Sequence, residues 1–267
     1  MSSMPMYFPP DPFNLQDSVM CSTLVNAAYD MYTQWVKQDK PKAEKFQWNP
    51  PEEPAMQYSS PIWGAEEFLW FFKHKEPFCF VATSDDDKVY LVFRGTESTE
   101  DWIADAEIKQ EPYGFVSDYG EVHEGFLMLY KSMSTDVIDT LNKVKQPKCL
   151  YITGHSLGSG ISTLAVPDII TNTDYRKEDV PILHYNLASP RVGNPEFASA
   201  YNNNKVPTYR IVNTCDIVPQ VPPSVLDKLL FEHIGTPVNY TAQYGSLSGN
   251  HNSINSYHYA LTHPEQP

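Results

Sequence analysis

Basic residues are scarce in this sequence. Its 267 residues include 19 Lys and Arg against 33 Asp and Glu, for a formal net charge of -14 at pH 7. Nucleic acids and anionic membrane surfaces bind proteins through clustered Lys and Arg. The composition therefore argues against both nucleic acids and anionic membrane surfaces as partners.

Long apolar runs are also missing. No segment reaches the roughly 18 uninterrupted apolar residues that a membrane-spanning helix needs. The first residues, MSSMPMYFPPDPFN, contain neither the basic stretch nor the continuous apolar stretch of a secretory leader. These absences predict a soluble cytoplasmic protein without a transmembrane segment, with export without a recognisable leader as the alternative.

Cysteines are few and far apart. Cys21, Cys79, Cys149 and Cys215 are widely spaced, and most of them have apolar, strand-like flanks. This pattern favours buried free thiols over a disulfide framework or a metal site.

The chain does contain alternating strand-like and helix-like segments. LVNAAYDMYTQWV and EGFLMLYKSMSTDVIDTLNKV have helical spacing, and ISTLAVPDIITN is helical with a kink or early end at Pro167. PFCFVAT and KVYLVFRG predict a hairpin, and CLYIT, ILHYNLAS and TYRIVNT read as further strands. The alternation predicts an α/β fold with a mostly parallel sheet flanked by helices. We expect one domain over residues 1–267, with a Pro-rich surface segment at 1–15.

The segment KCLYITGHSLGSGIS places Ser156 between two glycines where a buried strand becomes a helix. A nucleophilic serine on such a sharp turn is exposed at the edge of the sheet. Side chains at Gly154 and Gly158 would collide with the neighbouring strand and helix. The pattern predicts that Ser156 is a nucleophile, with a helix N-terminus beneath it to stabilise an oxyanion.

Such a serine needs an imidazole base that a carboxylate orients, in the chain order Ser, Asp or Glu, His. Asp216 directly follows the strand TYRIVNT, in a proline-rich loop, and fits the acid. Among the 8 histidines, order removes those before Asp216. His251, in the polar loop GSLSGNHNSIN, is the first choice for the base. His258, on a terminal helix, is the second choice, and His233, in strand-like sequence, is a distant third.

Several motifs then converge on one known family. VFRGTESTEDWIADAE, VHEGFLMLY, ITGHSLGSG, SPRVGNPEF and RIVNTCDIVPQVPP, in this order, resemble the class 3 lipases. The resemblance spans about residues 78–258 and implies an α/β-hydrolase fold with a Ser-Asp-His triad. The chain departs from the family pattern at Ser159, Gly160 and Ile161, where the family usually has a second glycine and an alanine, and at Ala188, where glycine is common. His251 also precedes Tyr257 by six residues rather than about five.

The resemblance also implies further site residues. The backbone N–H and hydroxyl of Thr96 and the backbone N–H of Leu157 would form the oxyanion hole. Residues 97–110 would form a short helical lid, in which Trp102, Ile103 and Ile108 supply the large apolar groups. His123 and Gly125 are expected to support the site rather than perform chemistry. Arg94 is expected to be held in an ion pair.

The predicted chemistry is ester hydrolysis through an acyl-enzyme on Ser156, without metal or organic cofactor. The first hypothesis is a lipase or carboxylesterase acting on acylglycerols or short- to medium-chain esters, at a neutral lipid interface, as a monomer. The acidic lid favours that neutral interface and limited interfacial activation. The alternatives are a feruloyl esterase or phospholipase A1 of the same fold and, more remotely, a catalytically silent binding module.

Overall fold

A central sheet of eight strands organises the protein in this computed structural model, which describes residues 3–9, 12–65, 75–96 and 108–267. The strands of the chain are β1 Met56–Tyr58, β2 Ile62–Gly64, β3 Glu76–Ser84, β4 Lys88–Phe93, β5 Gln110–Pro112, β6 Glu121–His123, β7 Cys149–His155, β8 Ile182–Leu187, β9 Thr208–Asn213, β10 Val225–Leu226, β11 Leu229–Leu230 and β12 Thr236–Tyr240. The sheet order is β1-β3-β4-β7-β8-β9-β12, and β2 also pairs with β3.

The sheet is parallel from β4 to β12 and antiparallel at its β1–β3 edge. The predicted hairpin is confirmed, since β3 and β4 pair antiparallel from Cys79 with Phe93 to Thr83 with Val89. Parallel strands end at the same edge of a sheet, so β7 and β9 present the residues that follow them, Ser156 and the loop with Asp216, at one edge.

Helices cover both faces of the sheet. They are α1 Leu15–Lys37, α2 Glu124–Leu141, α3 Leu157–Asn172, α4 Pro195–Asn203, α5 Leu247–His251 and α6 Tyr259–Thr262, with 3₁₀ turns at Ala43–Lys45 and Val218–Gln220 and a π-helix at Ser253–His258. Among these described helices, none combines the length and apolarity needed to cross a bilayer.

Strand β4 shows how the two cores form. Leu91 and Phe93 pack with the residues of α2 and α3 on one face. Tyr90 and Val92 pack with α1 and the C-terminal helix on the other. A strand buried on both faces has no polar alternation, which explains its continuous apolar sequence.

The predicted first helix is confirmed as α1, but the prediction of an early end at Pro167 is wrong, because α3 continues to Asn172. Nearly every residue of α3 is buried, so packing on both sides holds the helix past the missing N–H of proline. Most of the predicted lid, including Trp102 and Ile103, lies outside the described residues.

The N-terminal segment pairs with the C-terminal part of the chain. The N–H of Met4 donates to the carbonyl of Thr241 at 2.9 Å, and the N–H of Met6 donates to the carbonyl of Pro264 at 2.9 Å.

Candidate active site

Ser156 occupies a strained turn between β7 and α3. Its φ is 58° and its ψ is -127°, and its side chain is buried. A positive φ is unfavourable for a residue with a Cβ and persists only where the surrounding structure imposes it. The strained strand-to-helix turn has the geometry that the sequence predicts for a nucleophile, but the predicted exposure is wrong, because Ser156 is fully buried.

The flanking glycines are required sterically, as predicted. A Cβ on Gly154 would lie 2.3 Å from the carbonyl oxygen of Gly158. A Cβ on Gly158 would lie 2.4 Å from the carbonyl oxygen of Arg94 and 2.6 Å from that of Phe93. Both positions therefore exclude any larger residue.

Ser159 and Ala188, two of the departures from the family pattern, have structural accounts. The hydroxyl of Ser159 lies 2.6 Å from the carbonyl oxygen of Gly154 and 2.7 Å from that of Leu187, so it links two neighbouring strands. Ala188 has a φ of 53°, in the left-handed region that glycine adopts more easily. The chain accepts this strain at a fully buried position.

Asp216 follows β9 and is almost completely buried. Its Oδ1 accepts a hydrogen bond from the N–H of Val218 at 2.9 Å. Its Oδ2 accepts one from the hydroxyl of Tyr257 at 2.6 Å and lies 2.7 Å from Nδ1 of His251. The carboxylate is thus held in one orientation, facing the imidazole.

His251 is the last residue of α5 rather than part of a loop. With Nδ1 on Asp216, its second nitrogen, Nε2, faces away from the carboxylate. Nε2 of His251 and Oγ of Ser156 are both buried, and neither makes a hydrogen bond to a described residue. The structure therefore brings Asp216 and His251 together, but Ser156 and His251 are not hydrogen-bonded to each other.

Two asparagines tie the Asp216 loop to the segment that holds His251. The side-chain amide of Asn213 donates to the carbonyl of Ala242 at 2.9 Å and to that of Asn250 at 3.2 Å. The side-chain amide of Asn250 donates in turn to the carbonyl of Cys215 at 2.9 Å. These bonds fix the Asp216 loop relative to the segment that holds His251.

The other late histidines bind elsewhere. Nδ1 of His258, the second choice for the base, lies 2.8 Å from the hydroxyl of Ser22 on α1. Nε2 of His233, the third choice, donates to the carbonyl of Pro219 at 2.8 Å, and burial lowers its pKa to about 3. Of the late histidines, the structure brings His251 against Asp216.

The expected oxyanion residues lie beside the elbow. Leu157 is the first residue of α3, so its N–H has no acceptor within the helix. Thr96 is buried, and the adjacent Gly95 packs so closely that a Cβ there would lie 3.0 Å from the Cβ of Ser156. The turn before Thr96 is thus in contact with the serine.

Arg94 is held in the predicted ion pair. Its guanidinium lies 2.6 Å from the carboxylate of Glu76 and donates to the carbonyl of Gly95 at 2.8 Å. The guanidinium also stacks over the ring of Tyr32 at 4.1 Å. Burial lowers the pKa of Arg94, and the Glu76 carboxylate opposes that effect.

His123 is the last residue of β6 and the N-cap of α2. Its Nδ1 accepts a hydrogen bond from the N–H of Gly125 at 3.1 Å, which caps the helix. Burial lowers the pKa of His123 to about 4. Of the three predicted lid residues, Ile108 is described and is partly buried.

No metal site is visible among the residues that the structure describes, since no three His, Cys, Asp or Glu side chains cluster. A cavity of about 790 Å³ lies between β3 and the end of α2, where it is lined by Val81, Asp136 and Lys143. None of the candidate site residues lines this cavity.

Sequence reasoning missed two tyrosines of the site. Tyr257, which donates to Asp216, served only as a spacing landmark, although its place six residues after His251 is a usable signal. Tyr29 contacts His155 from α1, and its hydroxyl lies 2.8 Å from Nδ1 of His155. No local sequence pattern around Tyr29 predicts its contact with His155.

Comparisons with known proteins agree with this geometry. Residues 90–226, just over half of the chain, match the protein family Lipase (class 3). A lipase of Rhizomucor miehei is 36% identical over 163 residues, which cover 58% of this chain and 42% of that protein. A phospholipase A1-II 3 of Oryza sativa subsp. japonica is 32% identical over 167 residues, which cover 52% of this chain and 40% of that protein.

The solved structure of the Rhizomucor miehei lipase with its propeptide is similar to this chain, with a TM-score of 0.67 and 25% identity. That alignment covers 88% of this chain and 70% of the other. The likeness confirms the predicted α/β-hydrolase fold. The chain spans less than half the length of the curated relatives that it matches.

The predicted cytoplasmic location is wrong. A relative from Fusarium solani, 31% identical over 150 residues that cover 55% of this chain and 43% of that protein, is a secreted mono- and diacylglycerol lipase. Together with the other fungal lipases, it points to an exported protein. The prediction failed because the composition of a few N-terminal residues does not determine the compartment in which a protein works.

Proposed function

Because the chain belongs to the class 3 lipase family, we propose that it hydrolyses carboxylic esters of acylglycerols through an acyl-enzyme on Ser156. The observation that carries this proposal is the buried pair of Asp216 and His251, 2.7 Å apart, beside a strained serine. Such a pair holds the imidazole in the tautomer that accepts a proton at Nε2.

In the proposed mechanism, Oγ of Ser156 attacks the ester carbonyl while Nε2 of His251 accepts the hydroxyl proton. The carbonyl oxygen becomes an oxyanion, which the N–H groups of Thr96 and Leu157 stabilise, with the Thr96 hydroxyl as a further donor. The imidazolium then protonates the leaving alcohol, and a water molecule repeats these steps to release the acid. Each oxyanion donor typically lowers the barrier by about 3 kcal/mol.

Tyr257 assists by holding the carboxylate. Burial, and next the charge of Asp216, raise the pKa of Tyr257 well above its ordinary value. The hydroxyl therefore keeps its proton and donates to Oδ2 of Asp216 throughout the working pH range. Asp216 in turn stabilises the positive charge that His251 acquires in the transition state.

The proposed substrates are mono-, di- or triacylglycerols with short to medium acyl chains, presented at a neutral lipid interface. The fungal relatives that are lipases support acylglycerols. The formal net charge of -14 disfavours binding to an anionic interface. We also propose that the protein is exported, as the Fusarium solani relative is.

A second candidate activity is that of a phospholipase A1, which the rice relative favours. It requires the same triad and differs only in the headgroup of the substrate. Hydrolysis of tributyrin, dioctanoylglycerol and dioctanoyl phosphatidylcholine, at matched concentrations above and below aggregation, separates the two activities. Faster hydrolysis of the phospholipid than of either glyceride would favour the second candidate.

Fluorophosphonate labelling tests the proposed nucleophile. The wild type should take up the probe and hydrolyse p-nitrophenyl butyrate, and Ser156→Ala should do neither. Ser60→Ala, at an exposed serine that lines the cavity beside β3, is the matched control and should behave as wild type. Labelling of Ser156→Ala to the wild-type extent would exclude this serine as the nucleophile.

A further inference from the structure

A second imidazole lies against the ring of His251. The rings of His155 and His251 have centroids 4.6 Å apart and an interplanar angle of 38°. His155 immediately precedes Ser156 in the chain, and its ring contacts the ring of the proposed base. Its side chain is only 2% exposed.

Tyr29 fixes the orientation of His155. The tyrosine hydroxyl lies 2.8 Å from Nδ1 of His155, and the two rings meet edge to face at 5.8 Å. The same hydroxyl is close to the turn before Thr96, since a Cβ on Gly95 would lie 2.2 Å from it. Helix α1 thus contacts both the serine turn and the oxyanion turn through one side chain.

His155 also contacts the residue that holds the proposed acid. Its ring meets the ring of Tyr257 at 5.4 Å and 73°. The Tyr257 hydroxyl donates to Asp216 at 2.6 Å. His155 therefore packs against two of the groups that define where Nε2 of His251 points.

The contact between the imidazoles is not repulsive during turnover. Burial lowers the pKa of His155 well below its ordinary value, and the neighbouring His251 lowers it further. The titratable groups that face His155 are Tyr29 on α1, His251 on α5 and Tyr257 in the π-helix. His155 stays neutral, so His251 can take up a proton beside it.

We propose that His155 is a positioning residue for the reaction: Tyr29 fixes its ring, and the fixed ring keeps Nε2 of His251 directed at Ser156. This inference rests on the proposed function. It extends the active site to α1, which lies outside residues 90–226 that match the family.

The test compares three variants. Tyr29→Phe removes only the hydroxyl that fixes His155, and His155→Phe keeps a ring but removes Nδ1. Ser22→Ala is the matched control, because it also removes a hydrogen bond between α1 and an imidazole, 2.8 Å long, but that imidazole belongs to His258. Thermal denaturation of all three shows how far each is destabilised.

Both test variants should lower kcat by about tenfold with little change in KM, because a misdirected base slows the chemical step and leaves substrate binding intact. The rate of phosphonylation of Ser156 should fall in parallel. Ser22→Ala should keep the wild-type kcat even if its Tm falls. Tyr29→Phe is the decisive variant if His155→Phe does not fold.

An NMR measurement, which does not depend on turnover, distinguishes failure of the His155 positioning from failure of the proposed ester hydrolysis. The proton on Nδ1 of His251, shared with Asp216, gives a downfield NMR resonance, which should move in Tyr29→Phe and stay in place in Ser22→Ala. If Tyr29→Phe matches wild type in kcat, phosphonylation rate and this resonance, the positioning of His251 by His155 is refuted. If the wild type fails to label while the resonance moves in Tyr29→Phe, the proposed function fails and the positioning stands.

Discussion

Nδ1 of His251 lies 2.7 Å from Oδ2 of Asp216, across 35 residues of sequence. The pair is buried, and two further donors hold the carboxylate. An imidazole fixed in this way presents its other nitrogen in a defined direction, which is the requirement for a general base. Four predictions follow from this arrangement and its surroundings.

Asp216→Asn should lower kcat by a factor on the order of 10³ to 10⁴, because an amide neither selects the right tautomer of His251 nor stabilises its positive charge. The measurement is the initial rate of p-nitrophenyl butyrate hydrolysis, with far-UV circular dichroism to confirm folding. Asp227→Asn, at an exposed aspartate, is the control and should retain full activity. A fall of less than tenfold in Asp216→Asn would contradict the assignment of Asp216.

Tyr257→Phe should lower kcat by about tenfold and leave the fold intact, because Asp216 loses one of three donors and becomes freer to rotate. Steady-state kinetics on a soluble ester measure this change. Tyr259→Phe, at an exposed and neighbouring tyrosine, should have wild-type kinetics. Equal kinetics in the two variants would show that the hydroxyl of Tyr257 does not assist Asp216.

Glu76→Gln should lower the free energy of unfolding by about 3 kcal/mol, because it leaves the buried guanidinium of Arg94 without the Glu76 carboxylate. It should also lower kcat, since Arg94 bonds the carbonyl of Gly95 next to Thr96. Urea denaturation gives the stability. Lys177→Ala, which breaks an exposed ion pair with Asp174, should have no measurable effect, and an equally small effect of Glu76→Gln would refute this account.

The free energy of unfolding should fall as the pH drops from about 7 to about 4. Burial lowers the pKa of His123 to about 4, and those of His184 and His233 to about 3, so these groups stay neutral in the folded protein. In the unfolded chain these histidines bind protons near pH 6.5. Below that pH, each of them stabilises the unfolded state relative to the folded state by up to about 1.4 kcal/mol per pH unit.

Urea denaturation at several pH values measures this slope. His123→Asn should make the slope shallower while keeping a good cap for α2, since asparagine is a favoured N-cap residue. His263→Asn, at an exposed histidine, serves as the control. If His123→Asn and wild type have the same slope, burial of His123 does not govern acid stability.

The sequence predicted those features that depend on neighbouring residues. The turn at Ser156 could be inferred because the strand, the two glycines and the helix are adjacent in the chain, and Asp216 could be inferred from a strand end. His251 was the first choice for the base on chain order and loop polarity, and the structure places it against Asp216. The catalytic assignments stay predictions until the variants are measured.

The remaining features arise from tertiary contacts that leave no local pattern. Tyr29 lies 126 residues from His155, and nothing in the spacing of α1 distinguishes Tyr29 from the polar residues of that helix that face solvent. The passage of α3 through Pro167 depends on burial from several elements, which overrides the local preference of proline. In both cases tertiary packing determines a structural feature that local sequence patterns do not predict.

Helix α1 binds two imidazoles, with Tyr29 on His155 and Ser22 on His258. In a chimera of this protein and a relative, both residues of each pair must therefore come from the same parent. A crossover between residues 37 and 90 would join the first helix of one parent to the histidines of another. Such a chimera retains Ser156, Asp216 and His251. It still loses the Tyr29 contact that we propose positions His251, and the Ser22 contact to His258, unless both partners of each pair come from the same parent.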